Sequence, residues 1–102
     1  MNAQSGYQLY YACRTRDFVL VRSLVSSGGA SVNYQAAFGE TPIMACCRGD
    51  GTGILTYLID RGANLDLASS SGFTALHLAA INNMLLSVAV LLQRGANAEQ
   101  AD

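Results

Sequence analysis

Residues 58–64 read "LIDRGAN" and residues 91–97 read "LLQRGAN". The two phrases lie 33 residues apart in a chain of 102. At that offset, residues 39–69 lie over 72–102 with eight identities in 31 pairs. The identities are Gly39/Gly72, Thr41/Thr74, Leu58/Leu91, Arg61/Arg94, Gly62/Gly95, Ala63/Ala96, Asn64/Asn97 and Ala68/Ala101. Where identity fails, character persists, as in Ile43/Leu76, Leu55/Val88, Ile59/Leu92 and Asp66/Glu99. A fixed period that keeps its apolar positions is the mark of a repeated structural unit.

A third, weaker copy lies upstream. Gly29-Ala30-Ser31-Val32-Asn33 matches Gly62-Ala63-Asn64-Leu65-Asp66 at the offset of 33, whereas "LYYACRTRDFVLVRSLVSSG" matches "IMACCRGDGTGILTYLIDRG" only at 34. Gly28-Gly29 therefore marks one inserted residue in the loop after the second helix, where insertion costs little.

One unit can be read from its residues. Thr41-Pro42 starts a helix: the Thr hydroxyl can cap an orphan N–H, and Pro at the first helical position has no N–H to leave unpaired. Pro42–Arg48 then supplies two helical turns, and "GDGTG" (49–53) breaks them. A second helix follows over about Thr52–Asp60, with Ile54, Leu55, Leu58 and Ile59 at helical spacing. Gly62 stands where a left-handed C-terminal residue is expected. "ANLDLASSSG" leads on, extended and turn-rich, to Gly72. Helices under about 12 residues are marginal alone in water, so each must bury its apolar side on the neighbouring unit. The expected fold is an all-α repeat solenoid of about three helix-turn-helix units joined by protruding hairpin loops. The units fall at about 5–38, 39–71 and 72–102 of one domain spanning 1–102.

This pattern resembles the ankyrin repeat, whose unit carries "G-x-T-P-L-H-x-A-A" in its first helix and "L-L-x-x-G-A" at the end of its second. "GFTALHLAAINN" (72–83) with "LLQRGAN", and "GETPIMACC" (39–47) with "LIDRGAN", carry the likeness. "LYYACRTRD" (9–17) with "LVSSGGASVN" (24–33) is looser and is similar to a capping unit, with Arg14, Arg16 and Asp17 adding polarity. The family usually has Asp three residues before the Gly of the next unit. Ala36 and Ser69 stand there, so each hairpin lacks one turn-stabilising carboxylate. Ala75 replaces Pro, and Met44 replaces His. Asp102 does match the hairpin Asp, and the chain stops there. The expectation is a natural protein that continues, or a shortened chain.

Composition bounds the function. Apolar residues make up 51% of the chain and charged residues 13%, against about 25% charge in ordinary soluble domains. That balance argues against disorder. A net charge of −1 offers no basic stripe for nucleic acid and no polybasic segment for a membrane. Leu78–Gln93 is uncharged but too short and too broken by Asn82-Asn83 to span a bilayer. The N-terminus lacks the charged and apolar regions of a secretory signal. Three cysteines, two of them adjacent, argue against a disulfide framework. Reduced thiols in the cytoplasm, with the nucleus as the alternative, are expected.

Catalytic signals are weak. His77 is the sole histidine, and no second metal ligand stands at ligand spacing. The resemblance gives it a structural place, its imidazole bonded to backbone in the loops between units. Cys46 and Cys47, adjacent on a helix, point about 100° apart and fit small buried thiols. They replace the family's paired alanines, with Cys13 in the like position of the first unit. "GDGTG" lacks the preceding strand and following Lys of a phosphate loop. No enzymatic activity, cofactor or metal is expected.

The resemblance implies a protein-binding module, in which hairpin tips and first helices line a concave face that grips a protein partner. By position that face includes Tyr34, Gln35, Ala37, Phe38 and Glu40 from the first tip, and Leu67, Ser70, Ser71 and Phe73 from the second. The first helices add Tyr11, Arg14, Arg48, Leu78 and Ile81. Tyr34, Phe38, Arg48 and Phe73 are the narrower choice, since buried aromatics and arginines carry interface energy. The aromatics could instead pack back on neighbouring hairpins. The alternative role is structural. In "MLLSVAVLLQ" (84–93), Val88, Leu91 and Leu92 fall on the expected core face, whereas Leu85, Leu86, Ala89 and Val90 fall where relatives place charge. A terminal repeat should be polar outside. The expected cover for Leu85, Leu86 and Val90 is a fourth repeat, another domain or a second copy, with a tolerated apolar patch as the bland alternative.

Overall fold

The computed structural model of the chain describes residues 3–96. Among the described residues, six α-helices form three antiparallel pairs: α1 (Ala3–Arg14) with α2 (Phe18–Ser26), α3 (Pro42–Cys46) with α4 (Thr52–Asp60), and α5 (Ala75–Ile81) with α6 (Leu85–Gln93). Each pair packs on the next: α1 on α3, α3 on α5, and α4 on α6. Among the described residues there is no strand, so the fold is an all-helical repeat solenoid. The second helix of the middle unit spans the residues expected. The first, at five residues, is two residues shorter than Pro42–Arg48, because Cys47–Asp50 already turn toward α4.

The core is continuous along the stack. Leu9 and Cys13 from α1, Val21 from α2, Ile43, Met44 and Cys46 from α3, Leu55 and Leu58 from α4, Ala79 from α5 and Leu91 from α6 are all essentially inaccessible. Helices this short could not persist without that burial. The inserted residue of the first unit is visible in one hydrogen bond. Ala63 N–H donates to Leu58 O and Ala96 N–H to Leu91 O, five residues back in each case. Ala30 N–H donates to Leu24 O, six residues back. Gly29, Gly62 and Gly95 all take positive φ there, at 74°, 96° and 104°, the left-handed ending that glycine adopts without a Cβ clash.

The helix starts diverge in a way the shared Thr conceals. In α5, Thr74 Oγ1 accepts from His77 N–H while His77 Nδ1 accepts from Thr74 N–H, a reciprocal capping box. The His77 bond is thus made within its own unit rather than to a loop between units. In α3 the expected cap fails: Thr41 makes no side-chain cap bond, and its buried Oγ1 has no partner among the described residues. Met44 occupies the histidine position and has no acceptor to return.

Hairpins close without the missing carboxylates. Ala36 N–H donates to Glu40 O at 2.7 Å, and Ser69 N–H to Phe73 O at 2.9 Å. Ser69 Oγ accepts from Phe73 N–H, and at the other tip Gln35 Nε2 donates to Gly39 O. The two tips join through Ser70 N–H and Phe38 O at 2.8 Å. Further rungs along the stack are Asn64 N–H to Asn33 Oδ1, Asn82 Nδ2 to Cys47 O, the Thr52–Ser87 hydroxyl pair, and Arg94 with Asp60.

Candidate functional site

A groove of about 300 Å³ is lined by Tyr10, Tyr11, Arg14, Ala37, Phe38, Glu40 and Arg48. Three elements build it. α1 supplies Tyr10, Tyr11 and Arg14 on its exposed end. The single turn of 3₁₀ helix Ala37–Gly39 supplies the lip. Glu40 and Arg48 flank α3 at its two ends.

Phe38 dominates the lip. It is 79% exposed and holds φ 62° and ψ 20°, a left-handed conformation that costs a non-glycine residue about 1–2 kcal/mol. Its carbonyl is fixed by Ser70 N–H, so the next hairpin tip holds the ring out over the groove. Arg16 and Asn83 hold the same left-handed backbone, φ 59° each, in the turns between paired helices, so it is the exposure of its ring that sets Phe38 apart.

The groove floor is an ion cluster. Glu40, only 9% exposed, accepts from Tyr10 Oη at 2.6 Å and from Arg48 Nε at 3.1 Å on Oε1, and from Arg48 Nη2 on Oε2. Burial alone would raise the Glu40 carboxyl, but the bonds from Arg48 and Tyr10 outweigh it and hold the group below its ordinary value. Burial and the bond to Glu40 push the Tyr10 phenol up. Glu40 and Arg48, expected as contact residues, therefore satisfy one another, and Glu40 joins α1 to α3. Arg14 differs: its guanidinium lies 5.9 Å from the Tyr10 ring centroid and has no carboxylate partner among the described residues.

The other sequence candidates divide. Tyr11 is half-exposed, stacking edge-on with Tyr7 and Tyr10. Gln35, Ala37, Ser70, Ser71 and Ile81 are exposed, and Leu67 is partly so. Leu78 is not available. It is 8% exposed and belongs to the core, as does Ala45, its equivalent one unit earlier, because this position faces the neighbouring first helix. Tyr34 packs back on α1: a Cβ on Gly6 would come within 2.5 Å of its ring. A glycine inside a helix costs about 0.5–1 kcal/mol, and that oddity was the legible sign of the approach. Phe73 is partly buried against the core and edge-on to His77 at 5.9 Å. Tyr10 was missed in sequence. It occupies the position of Met44 and His77, which reads as core, yet it lines the groove and its hydroxyl donates to Glu40 there.

On α6 the expected faces are partly exchanged. Ser87 and Leu91 are buried, Val88 packs against the core as expected and Val90 does so too, and Ser87 bonds Thr52 of α4. Val90 is therefore partly buried, and Leu92, expected inside, is 47% exposed. Leu85 (69%), Leu86 (70%), Ala89 and Leu92 make the open edge. Leu85, Ala89 and Leu92 repeat Thr52, Thr56 and Ile59 of α4, of which Thr52 bonds Ser87 of α6, whereas Leu86 repeats the exposed Gly53.

All three cysteines are free and buried. A hydrogen bond with Cys13 and burial push the Cys46 thiol well up, and burial pushes Cys47 to about 12. Thiols so protonated are poor nucleophiles. No group of His, Cys, Asp and Glu among the described residues is placed to hold a metal ion, and no helix among them is long and apolar enough to cross a membrane.

Comparison with known proteins agrees with this architecture. The family model "Ankyrin repeats (3 copies)" matches residues 9–102. The chain is 36% identical over 73 residues to Putative ankyrin repeat protein L92 of Acanthamoeba polyphaga mimivirus, covering 71% of this chain and 18% of that protein. It is 32% identical over 95 residues to Inversin of Mus musculus, covering 93% of this chain and 9% of that protein. It is 26% identical over 86 residues to Ankyrin repeat protein OPG189 of Variola virus, covering 84% of this chain and 14% of that one. The chain thus spans less than a fifth of the length of each of these relatives. Repeat period, paired helices, hairpin closure and the family match converge: this chain belongs to the ankyrin repeat family.

Proposed function

We propose that the chain is a non-catalytic module that binds a partner protein through the groove between α1, the first hairpin tip and α3. Ankyrin repeats are generally protein–protein interaction modules, and the family is typically non-catalytic. The observation that carries the reading is Phe38: a large apolar ring held in water at the lip of the groove. Tyr11 and Arg14 complete a contact set of the type that concentrates binding energy. Ser70, Ser71, Leu67 and Ile81 extend the face along the stack. The reading needs no cofactor, metal, nucleic acid or membrane. Three buried thiols suit the cytoplasm, with the nucleus as the other reducing compartment.

The test is affinity capture with quantitative mass spectrometry, using the wild-type chain and a Tyr11→Ala/Phe38→Ala variant. Proteins held by the wild type should be lost by the variant, with its melting temperature unchanged. Identical protein sets on both would remove the groove from the binding surface.

A second reading rests on the open edge of α6. Leu85, Leu86, Ala89 and Leu92 form one apolar stripe, and leaving a large aliphatic side chain in water forgoes about 1.5–3 kcal/mol of burial. This edge would dock a further repeat, an attached domain or a second copy. Sedimentation of the chain with and without Leu86→Glu separates self-association from the rest: a monomer in both removes the second copy.

A further inference from the structure

Resting on the groove reading above, we infer that the partner presents an acidic side chain beside a large apolar one, the carboxylate to Arg14 and the apolar group to Phe38. The charges in the groove decide this. Glu40 takes three hydrogen bonds, from Tyr10 and from both arms of Arg48, so its carboxylate and the Arg48 cation are matched. Arg14 stays over. It lies against the Tyr10 ring rather than on a carboxylate, and the groove carries one net positive charge from Arg14, Arg48 and Glu40. A guanidinium with free N–H groups recognises a carboxylate in a forked pair. The nearby Glu40 carboxylate tempers the field, which suits a singly charged anion over a phosphate dianion.

The apolar half of the site is built from the lip and from α1. Phe38 and Ala37 stand on the hairpin lip. The half-exposed Tyr11 stands on α1, one turn before Arg14. A space of about 300 Å³ accepts one or two side chains, so the groove reads a short stretch of the partner protein. Electrostatic matching of this kind sets specificity more than affinity.

The experiment is selection of a random-peptide phage library on the whole chain, followed by titration of a synthetic winning peptide. Winners should be enriched in Asp or Glu within three positions of Leu, Ile or Phe. The winning peptide should bind Arg14→Gln roughly threefold to tenfold more weakly and lose its salt dependence, as for one partly exposed ion pair. It should bind Phe38→Gly weakly as well, with melting curves showing both variants folded. Winners without acidic enrichment, or a peptide that loses affinity for Phe38→Gly but not for Arg14→Gln, would overturn the acidic requirement and leave the groove standing. A library that yields only peptides indifferent to both variants, or none, would overturn both.

Discussion

Thr41 and Thr74 are the same residue in the same place of successive units, yet only one of them caps. Thr74 exchanges two hydrogen bonds with His77, while the Thr41 hydroxyl is buried and unpaired beside Met44. A lost Thr cap typically costs about 1 kcal/mol, whereas removing an unpaired buried hydroxyl at constant shape is nearly neutral or stabilising. Thr74→Val should therefore lower the unfolding midpoint by about that amount, and Thr41→Val should leave it unchanged or raise it. Equal losses in urea titrations would mean that Thr41 has a partner after all. Phe38 poses a separate residue-scale question. Its left-handed backbone costs about 1–2 kcal/mol, and a glycine there would forfeit about 0.5–1 in chain entropy. Phe38→Gly should accordingly match or exceed the wild type in melting temperature, and Phe38→Ala should match it, while both bind a groove ligand poorly. A large drop in melting temperature for Phe38→Ala would place the ring in the core.

At the scale of elements, the helices were legible because their cause is local. The apolar spacing of Ile54, Leu55, Leu58 and Ile59 marks Thr52–Asp60 and no other segment, and Gly62 ends it. The groove was legible only in part, because its geometry depends on contacts about 30 residues apart. Nothing near Tyr10 announces Glu40, yet their bond ties α1 to the start of α3. Nothing in "AAFGE" announces that Phe38, rather than Gly39 alone, turns left-handed. The Tyr10–Glu40–Arg48 joint yields an acid-limb prediction. The Glu40 carboxyl sits below its ordinary 4.5 in the folded chain, because its bonds to Arg48 and Tyr10 outweigh burial. A depressed folded value means stability that is present above 4.5 and is lost as pH falls through the folded value. Glu40→Gln should be less stable than wild type near neutral pH by about 1–3 kcal/mol, the range for buried bonds to a charged group. That gap should narrow as pH drops below 4.5, where the wild type protonates and the variant does not. A gap that stays constant down the acid limb would show that the joint does not depend on the charge.

Across the whole molecule, the three helix pairs are not equal neighbours. α3 is covered by α1 before it and α5 after it, and α4 by α6 after it and by Phe18 of α2 on its Tyr57 before it. α6 packs on α5 and α4 through Ser87, Val88, Val90 and Leu91, and among the described residues its other edge faces water. Its start, like that of α4 at Gly51, has no side-chain cap. Asp17 caps α2 by accepting from Leu20 N–H, whereas the equivalent Met84 makes no side-chain cap. The rung at its far end, Arg94 on Asp60, is an exposed ion pair, typically worth under about 1 kcal/mol. In a solenoid, stability is close to a sum of intrinsic and nearest-neighbour terms, so opening should start where those terms are fewest. Native-state hydrogen exchange should show the slowest amides in α3 and α4 and clearly faster ones in α6. Glutamate at Leu85 or Leu86 should leave that order and the global stability unchanged, because neither side chain is buried. If α6 amides exchange as slowly as those of α4, its apolar edge is covered in solution, and a concentration dependence of that protection would identify the cover as a second copy of the chain.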